Sequence, residues 1–202
     1  MKIYTEKGAE DFLEKEGFEI VERAFIKNEK ELKKITDKIG FPLVMKISSK
    51  KLIHKTKHNG VKIDINNYEE ALQIFNKFKK SSYFEGVLIQ KMIEGKEFLI
   101  GLKKTKEFGH VIAFGVGGIY AEQFKEISFR ACPVDKKEIQ KMITEIKQFK
   151  DLDKNIKDEI VSNIIKTCSL SKKYPSITEL DINPLIIGNK KGKIVDVRIV
   201  FE

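Results

Sequence analysis

Two of the three histidines, His54 and His58, lie in the stretch KKLIHKTKHNGV (50–61). Lys50, Lys51, Lys55 and Lys57 surround them, and Lys46 stands just upstream. A neutral imidazole nitrogen is a nucleophile. Like-charge repulsion from the lysines disfavours the imidazolium form. The same ammonium groups would balance the charge of a phosphoryl group once it is attached. The cluster therefore suits a phosphohistidine at His54 better than a metal ligand or a cationic switch. Without further context, a surface histidine in a basic loop is the simpler reading. His58 is the secondary candidate.

Oxygen-bearing side chains form a second constellation. In ITELDINPL, Glu179, Asp181 and Asn183 alternate with Leu180 and Ile182, so a strand puts all three on one face. In KIVDVRIV, Asp196 and Arg198 alternate with valines and Ile199. A turn at residues 188–191 would set Asn183 opposite Asp196. Such a pair suits Mg²⁺, which takes one or two carboxylates plus phosphate oxygens and keeps some of its water. The same pattern equally describes the solvated side of an antiparallel sheet.

Three weaker signals accompany these. Lys46 ends the apolar run FPLVMK, where it either meets an anion such as a nucleotide phosphate or reaches water. GVLIQKMIEGKEFLIGL reads as two strands joined near Gly95. It is either a hinge whose backbone could meet an adenine edge, with Glu97 facing the ligand, or an ordinary hairpin. In FGVGGIYAEQFKEISFR, Gly115, Gly117 and Gly118 permit close backbone approach. Glu122, Glu126 and Arg130 follow at intervals of four. Arg130 either makes a forked contact to phosphate or carboxylate or pairs with Glu126.

The chain has 202 residues, 41% of them hydrophobic and 34% charged, with a formal net charge of +9. That describes a globular protein rather than a disordered one. Only Arg23, Arg130 and Arg198 are arginines, and no nucleic-acid motif is present, so nucleic acid is not the expected partner. The excess charge favours anionic ligands and an acidic partner. No apolar run is long enough to cross a bilayer, and no signal-peptide pattern opens the chain. Cys132 and Cys168 have no metal or redox spacing, which fits a reducing cytosol, with Cys168 read as a small core residue. The composition, rich in Lys, Glu and Ile, is also that of heat-adapted proteins.

The elements that must position these residues follow from periodicity. Helices are expected near 6–16, from a cap at Asn28 to Gly40, around 71–78, from Asp135, and near 156–172. Strands are expected at FEIVERAFI, LVMKI, 61–65, GVLIQKM, EFLIGLK, HVIAFG, SFRACP and the C-terminal hairpin. No repeat or low-complexity linker is visible. The expected division is an α+β lobe at 18–86 and a second at 87–202, with residues 1–17 a helix on the larger lobe and a ligand cleft between the lobes.

In order along the chain, these stretches resemble the β subunit, or ATP-grasp domain, of ADP-forming acetyl-CoA (acyl-CoA) synthetases. FPLVMKI resembles the family's strand with its phosphate-binding lysine, which places that role on Lys46. LIHKTKHNGV resembles the histidine loop, written roughly I-L-H-K-S-D-V-G-G-V, and places the phospho-acceptor on His54. Lys57 stands where that loop has an acidic residue, and Asn59-Gly60 where it has paired glycines. VLIQKMIEGKEFLIGL resembles the nucleotide hinge, implying contacts from Gln90, Lys91, Met92 and Glu97. FGHVIAFGVGGIYAEQFKEISFRACP resembles the glycine-rich module, implying a nucleotide contact at Glu122 and catalytic assistance from Arg130. ELDINPLII with VDVRIV resembles the metal-binding end, with Mg²⁺ on Asn183 and Asp196.

The resemblance implies an ATP-grasp fold, two α+β lobes enclosing a nucleotide cleft. It implies ATP/ADP and Mg²⁺ as cofactors and a cytoplasmic location with no membrane contact. The implied partner is a separate CoA-binding α subunit in an α2β2 or similar assembly. The implied reaction is acyl-CoA + ADP + phosphate ⇌ carboxylic acid + ATP + CoA. Two rival readings are another ATP-grasp carboxylate ligase, which would not need His54, and a non-catalytic nucleotide-sensing module, which would not need to retain Lys46, His54, Asn183 and Asp196.

Overall fold

The computed structural model describes residues 1–48, 60–118, 126–188 and 191–202. The chain divides into two compact units, residues 21–93 and residues 1–20 with 94–202.

The smaller unit is built on a four-stranded antiparallel sheet. Its strands are β2 (Arg23–Ile26), β3 (Leu43–Ser48), β4 (Val61–Ile65) and β5 (Gly86–Lys91), in the order β2-β5-β3-β4. Two helices complete it, α2 (Leu32–Ile39) and α3 (Tyr68–Lys79). The Glu31 carboxylate accepts the Asn28 N–H at 3.3 Å, and Gly40 stops α2 at φ 74°. Asn67 caps α3, its side-chain oxygen accepting the Glu70 N–H at 2.9 Å. Leu32, Leu43, Met45, Ala71, Phe75, Val87 and Ile89 fill the core between helices and sheet.

Two expectations change here. The division was expected at 86/87, but β5 is hydrogen-bonded to both β2 and β3. It is an interior strand of the smaller sheet, and the unit runs to residue 93. Alternation also put Val61, Ile63 and Ile65 on one face. The β3–β4 register shifts between Leu43 and Met45, and Asp64 takes a positive φ of 57°. That irregularity turns Ile63 outward, leaving it 66% exposed.

The larger unit is a seven-stranded antiparallel sheet covered by helices. Its strands are β1 (Lys2–Ile3), β6 (Lys96–Thr105), β7 (Gly109–Val116), β8 (Ile127–Ala131), β9 (Ile177–Ile187), β10 (Lys193–Ile194) and β11 (Val197–Phe201). The order is β1-β11-β9-β6-β7-β8, with β10 beside β9. So β5 and β6, which could have formed one hairpin, belong to different sheets. The helices are α1 (Glu6–Lys15), α4 (Lys136–Glu145) and α5 (Lys154–Lys173). Asp135 caps α4 through the Glu138 N–H at 2.8 Å.

Phe98, Ile100 and Leu102 of β6, Ile112 and Phe114 of β7, and Leu180 and Ile182 of β9 form one core with Ile139, Ile143, Ile160 and Ile164. Phe149 sits 5.0 Å from Phe98 and 5.5 Å from Phe114, ring centre to ring centre. Ala9, Leu13, Phe18 and Ile20 belong to this core too. No helix among the described residues is long and apolar enough to cross a membrane.

Two tethers fasten β8 to the helices. Cys132, just past β8, forms a disulfide with Cys168 on α5, Cα to Cα 5.6 Å. The sequence reading had left the two thiols separate. Their spacing of 36 residues gives no hint of pairing, which the packing of α5 on the sheet creates. Arg130 donates to Glu145 at 2.6 Å through Nη2 and to Glu138 at 3.1 Å through Nε. The Arg130 guanidinium and the Ser128 hydroxyl hold the Glu145 carboxyl below the usual carboxylate range. Lys141 and then Arg130 do the same for Glu138.

Opening the disulfide should lower the stability of the larger unit by on the order of 3 kcal/mol, the chain entropy that a loop of this length regains. Melting of the parent with and without dithiothreitol, and of Cys132→Ser, checks this; coincident curves would contradict it. Arg130→Gln should lower the melting temperature at pH 7 by roughly 2–4 °C. A depressed carboxylate stabilises the fold above its unfolded pKa and loses that effect as pH falls through its folded value. The deficit of Arg130→Gln should therefore shrink below about pH 4, which a series of melting curves would show.

Candidate functional site

A proline inside a central strand removes one ladder donor, and β9 carries Pro184 in its interior. Below it, Ile182 pairs with Ile100 of β6; above it, Leu185 pairs with Phe98. Between those pairs β6 has Leu99 alone, whereas β9 has Asn183 and Pro184. This is a bulge on β9, a device that re-aims a side chain. On its other side β9 keeps register: Val197 faces Ile182 and Ile194 faces Leu185. Asn183 therefore lies opposite Asp196, and its N–H donates to the Asp196 carbonyl at 3.1 Å. That is the pairing expected for a turn at residues 188–191.

The segments beside β9 add further groups to this pair. Gly117, just beyond β7, donates its N–H to the Glu97 carbonyl of β6 at 3.0 Å. Gly118 donates its N–H to Asn183 Oδ1 at 2.7 Å. Gly118 thus touches both Asn183 and Glu97, whose carboxylate lies beside the Gly118 α-carbon, while Asp196 stands opposite Asn183; along the ladder itself Glu97 pairs with Ile186. A side chain at Gly117 would strike the Phe98 backbone at 2.5 Å, so glycine is required where β7 ends. Glu97 is half-buried, and burial pushes its carboxyl above the usual range.

Glu179 and Asp181 continue the same face of β9. Asp181 is reached by solvent yet flanked by protein. Burial raises its carboxyl, Arg198 opposes the shift, and Glu179 adds to it. Lys103 and Arg198 stand 3.4 and 3.7 Å from the Glu179 carboxylate.

Among the described residues no group of three His, Cys, Asp or Glu side chains could hold a metal ion alone. What the cluster offers is one amide oxygen, one carboxylate opposite it, and a second carboxylate at Glu97. That donor set fits Mg²⁺, which completes its octahedron with phosphate oxygens and water. It does not fit a structural Zn²⁺ site of Cys and His.

The smaller unit holds the other candidates. Lys46, on β3 between Val61 and Leu88, is 5% exposed. Gln90 is 2% exposed and pairs with Arg23 and Val44. Lys91 Nζ donates to the Phe41 and Gly40 carbonyls at 2.7 and 3.1 Å, satisfying the C-terminal end of α2. The Lys91 and Met92 N–H groups donate to the Glu22 and Pro42 carbonyls at 2.9 and 3.1 Å. The hinge had been expected to offer its N–H groups to a base, and these two are already engaged.

Arg130 shares a core-side position on β8 with Ser128 and binds two carboxylates of α4, away from the row that contains Asn183. It is not brought together with the other candidates, and neither is Glu126, which caps the Lys147 N–H at 2.8 Å. His54, His58 and Glu122 lie outside the described residues. Sequence reasoning missed the Gly118–Asn183 bond. Its only sequence signals were the glycine pair and the Asn-Pro step, which do not name each other.

An ATP-grasp domain family model matches residues 1–201. The chain is 35% identical to the β subunit of acetate–CoA ligase [ADP-forming] I of Pyrococcus furiosus, over 98% of this chain and 91% of that protein. It is 38% identical to the 4-hydroxybutyrate–CoA ligase [ADP-forming] of Nitrosopumilus maritimus, covering 96% of this chain but 30% of that longer protein. Among solved structures it resembles an acetyl-coenzyme A synthetase of Candidatus Korarchaeum cryptofilum in complex with coenzyme A and Ca-AMPCP. The TM-score is 0.90, with 29% identity over 100% of this chain and 94% of that one. A Mg-AMPPCP complex of the same synthetase, with a phosphohistidine segment pointing towards its nucleotide binding site, matches with a TM-score of 0.84, 28% identity, and coverage of 100% and 93%. The chain belongs to the ATP-grasp domain family, in the branch of the ADP-forming acetate–CoA ligase β subunits.

Proposed function

We propose that the chain is the nucleotide-binding β subunit of an ADP-forming acyl-CoA ligase, which takes a phosphoryl group on His54 and delivers it to ADP. The net reaction is acyl-CoA + ADP + phosphate ⇌ carboxylic acid + ATP + CoA. The observation that carries this reading is the pairing of Asn183 with Asp196 across neighbouring strands, with the Asn183 oxygen held by the Gly118 N–H at 2.7 Å and the Glu97 carboxylate beside Gly118. It sits in a chain that spans 91% of a β subunit but only 30% of a longer relative. The CoA-binding and acyl-transfer steps are assigned to a separate α subunit, a reading supported by the naming of the Pyrococcus furiosus relative as a β subunit. ADP and CoA thioesters place the reaction in the cytoplasm.

The roles follow from chemistry. A neutral His54 nitrogen attacks an incoming phosphoryl group, and Lys50, Lys51, Lys55 and Lys57 offset the charge of the adduct. Lys46, nearly buried, neutralises a phosphate of ADP. Asn183 and Asp196 hold Mg²⁺, which neutralises charge on the transferring phosphate oxygens. Glu97, Glu122 and the segment Gln90 to Met92 are assigned to nucleotide positioning. The side chain of Lys91, bound to two carbonyls, acts there by fixing the backbone. Arg130 is left out of the catalytic assignment because two carboxylates occupy it. The task is positioning and charge neutralisation rather than further covalent chemistry.

The parent chain, given radiolabelled ATP and Mg²⁺, should acquire an acid-labile, base-stable label. His54→Asn should reduce that label to background while Mg·ADP binding persists, and His58→Asn should keep most of it. Label that survives in His54→Asn and vanishes in His58→Asn would move the role to His58; a parent that never labels would refute the phosphohistidine mechanism. Lys46→Met should leave the ligand-free melting temperature nearly unchanged. It should abolish the stabilisation by ADP, which for a competent site is about 2.7 kcal/mol at a hundredfold excess over Kd. An undiminished ADP-induced shift in that variant would remove Lys46 from the site.

A further inference from the structure

An asparagine side chain has two ends of nearly equal shape, an oxygen acceptor and an NH₂ donor. At a cation site only one of them is useful: the oxygen can ligate, and the NH₂ repels. A residue that ligates through asparagine therefore needs a neighbour that distinguishes the ends. For Asn183 that neighbour is the Gly118 N–H, which donates to Oδ1 at 2.7 Å. With the amide turned over, two donors would face each other. With the oxygen held, its second lone pair stays available to a cation.

The backbone at Gly118 is itself held in place. Its φ is +65°, in the left-handed region that glycine enters without strain. A β-carbon built there would fall 1.5 Å from Glu97 Oε2. Gly117 is tied to the Glu97 carbonyl at 3.0 Å. The bulge at Asn183–Pro184 faces Leu99 of the same strand, so β6 sets the position of both donor and acceptor.

We infer that Gly118 is a positioning residue for the divalent cation: its backbone amide fixes Asn183 with the oxygen end toward the metal, and Glu97 keeps the space beside it closed to any side chain. This rests on the reading of Asn183 and Asp196 as the Mg²⁺ pair. It adds a dependence that the pair does not carry, because metal affinity then depends on a backbone group just beyond β7, outside the two segments that supply Asn183 and Asp196. The ligand concerned is a divalent cation with a nucleoside diphosphate.

The test is a double-substitution cycle read by calorimetric titration with Mg·ADP and, separately, with ADP in EDTA. Gly118→Ala should weaken Mg·ADP binding about tenfold; its methyl must also move the Glu97 carboxylate, assigned above to nucleotide positioning, so ADP binding in EDTA should fall too, but by less than about threefold. In the Asn183→Asp background the same substitution should cost less than about threefold, because a carboxylate presents oxygen from either end. Equal losses in both backgrounds, or equal losses with and without the metal, would make Gly118 a merely structural residue and overturn the inference. If the parent fails to bind Mg·ADP, the metal reading falls, and this inference with it. If Gly118→Ala does not fold, amide hydrogen exchange in the parent carries the test. Adding Mg²⁺ to the ADP-bound chain should slow exchange at the Gly118 N–H several-fold, since coupling between two sites is reciprocal. An exchange rate indifferent to Mg²⁺ would overturn the inference.

Discussion

The larger unit depends on the register of β9 between β6 and β11. Side chains alternate with a period of two, so a slip of one residue would exchange the two faces. In the observed register Phe98, Ile100, Leu102, Leu180 and Ile182 enter the core, and Glu97, Asp181 and Asn183 turn to the other face. Burying five large apolar side chains, at roughly 1.5–3 kcal/mol each, outweighs any preference of the polar set. The polar row is thus placed by the core behind it. The bulge at Asn183–Pro184 is the one departure from strict alternation, and it lies where the candidate ligand sits. The β6 side absorbs the irregularity while the β11 side keeps Asn183 opposite Asp196.

The smaller unit assigns unlike tasks to chemically identical lysines. Lys91 reaches two carbonyls at the end of α2, so its charge completes a helix terminus. Lys46 lies three residues into β3, flanked by the paired strands β4 and β5, and is nearly shielded from solvent. An ammonium group in that position is costly unless an anion compensates it. Spacing could not separate the two cases, since in the sequence each lysine follows a largely apolar run, and β3 in fact continues past Lys46 to Ser48. Only the pairing partners do.

Much of this was legible in the sequence because local rules and tertiary packing agree. Helix α2 is bounded by Asn28 and Gly40, and α4 by Asp135, each by a cap whose chemistry is written in one or two residues. The hairpin register followed from counting back from a turn. What was not legible depends on contacts between distant segments. The Cys132–Cys168 bond needs the packing of α5 on the sheet. The commitment of Arg130 to Glu138 and Glu145, rather than to Glu126, needs the crossing of α4 over β8. Ile63 faces outward because a register shift overrides alternation. The engaged N–H groups of Lys91 and Met92 depend on Glu22 and Pro42, each more than forty residues away in the chain.

The cross-links and the polar row occupy opposite faces of the larger sheet. The helix-side face carries the Phe98–Phe114–Phe149 contacts and the Arg130 network, with the Cys132–Cys168 bond at its edge. The other face carries Glu97, Asp181 and Asn183. Burial raises the carboxyls of Glu97 and Asp181, so their ionised forms are held at some cost to the fold. A cation that favours the ionised carboxylate would offset that cost. Disulfides are ordinarily rare where thiols are kept reduced. A composition rich in lysine, glutamate and isoleucine is shared with heat-adapted proteins, and the intracellular proteins of hyperthermophiles use such bonds. In this chain the bond fastens α5 to the end of β8, on the helix-covered side of the sheet and away from Glu97, Asp181 and Asn183.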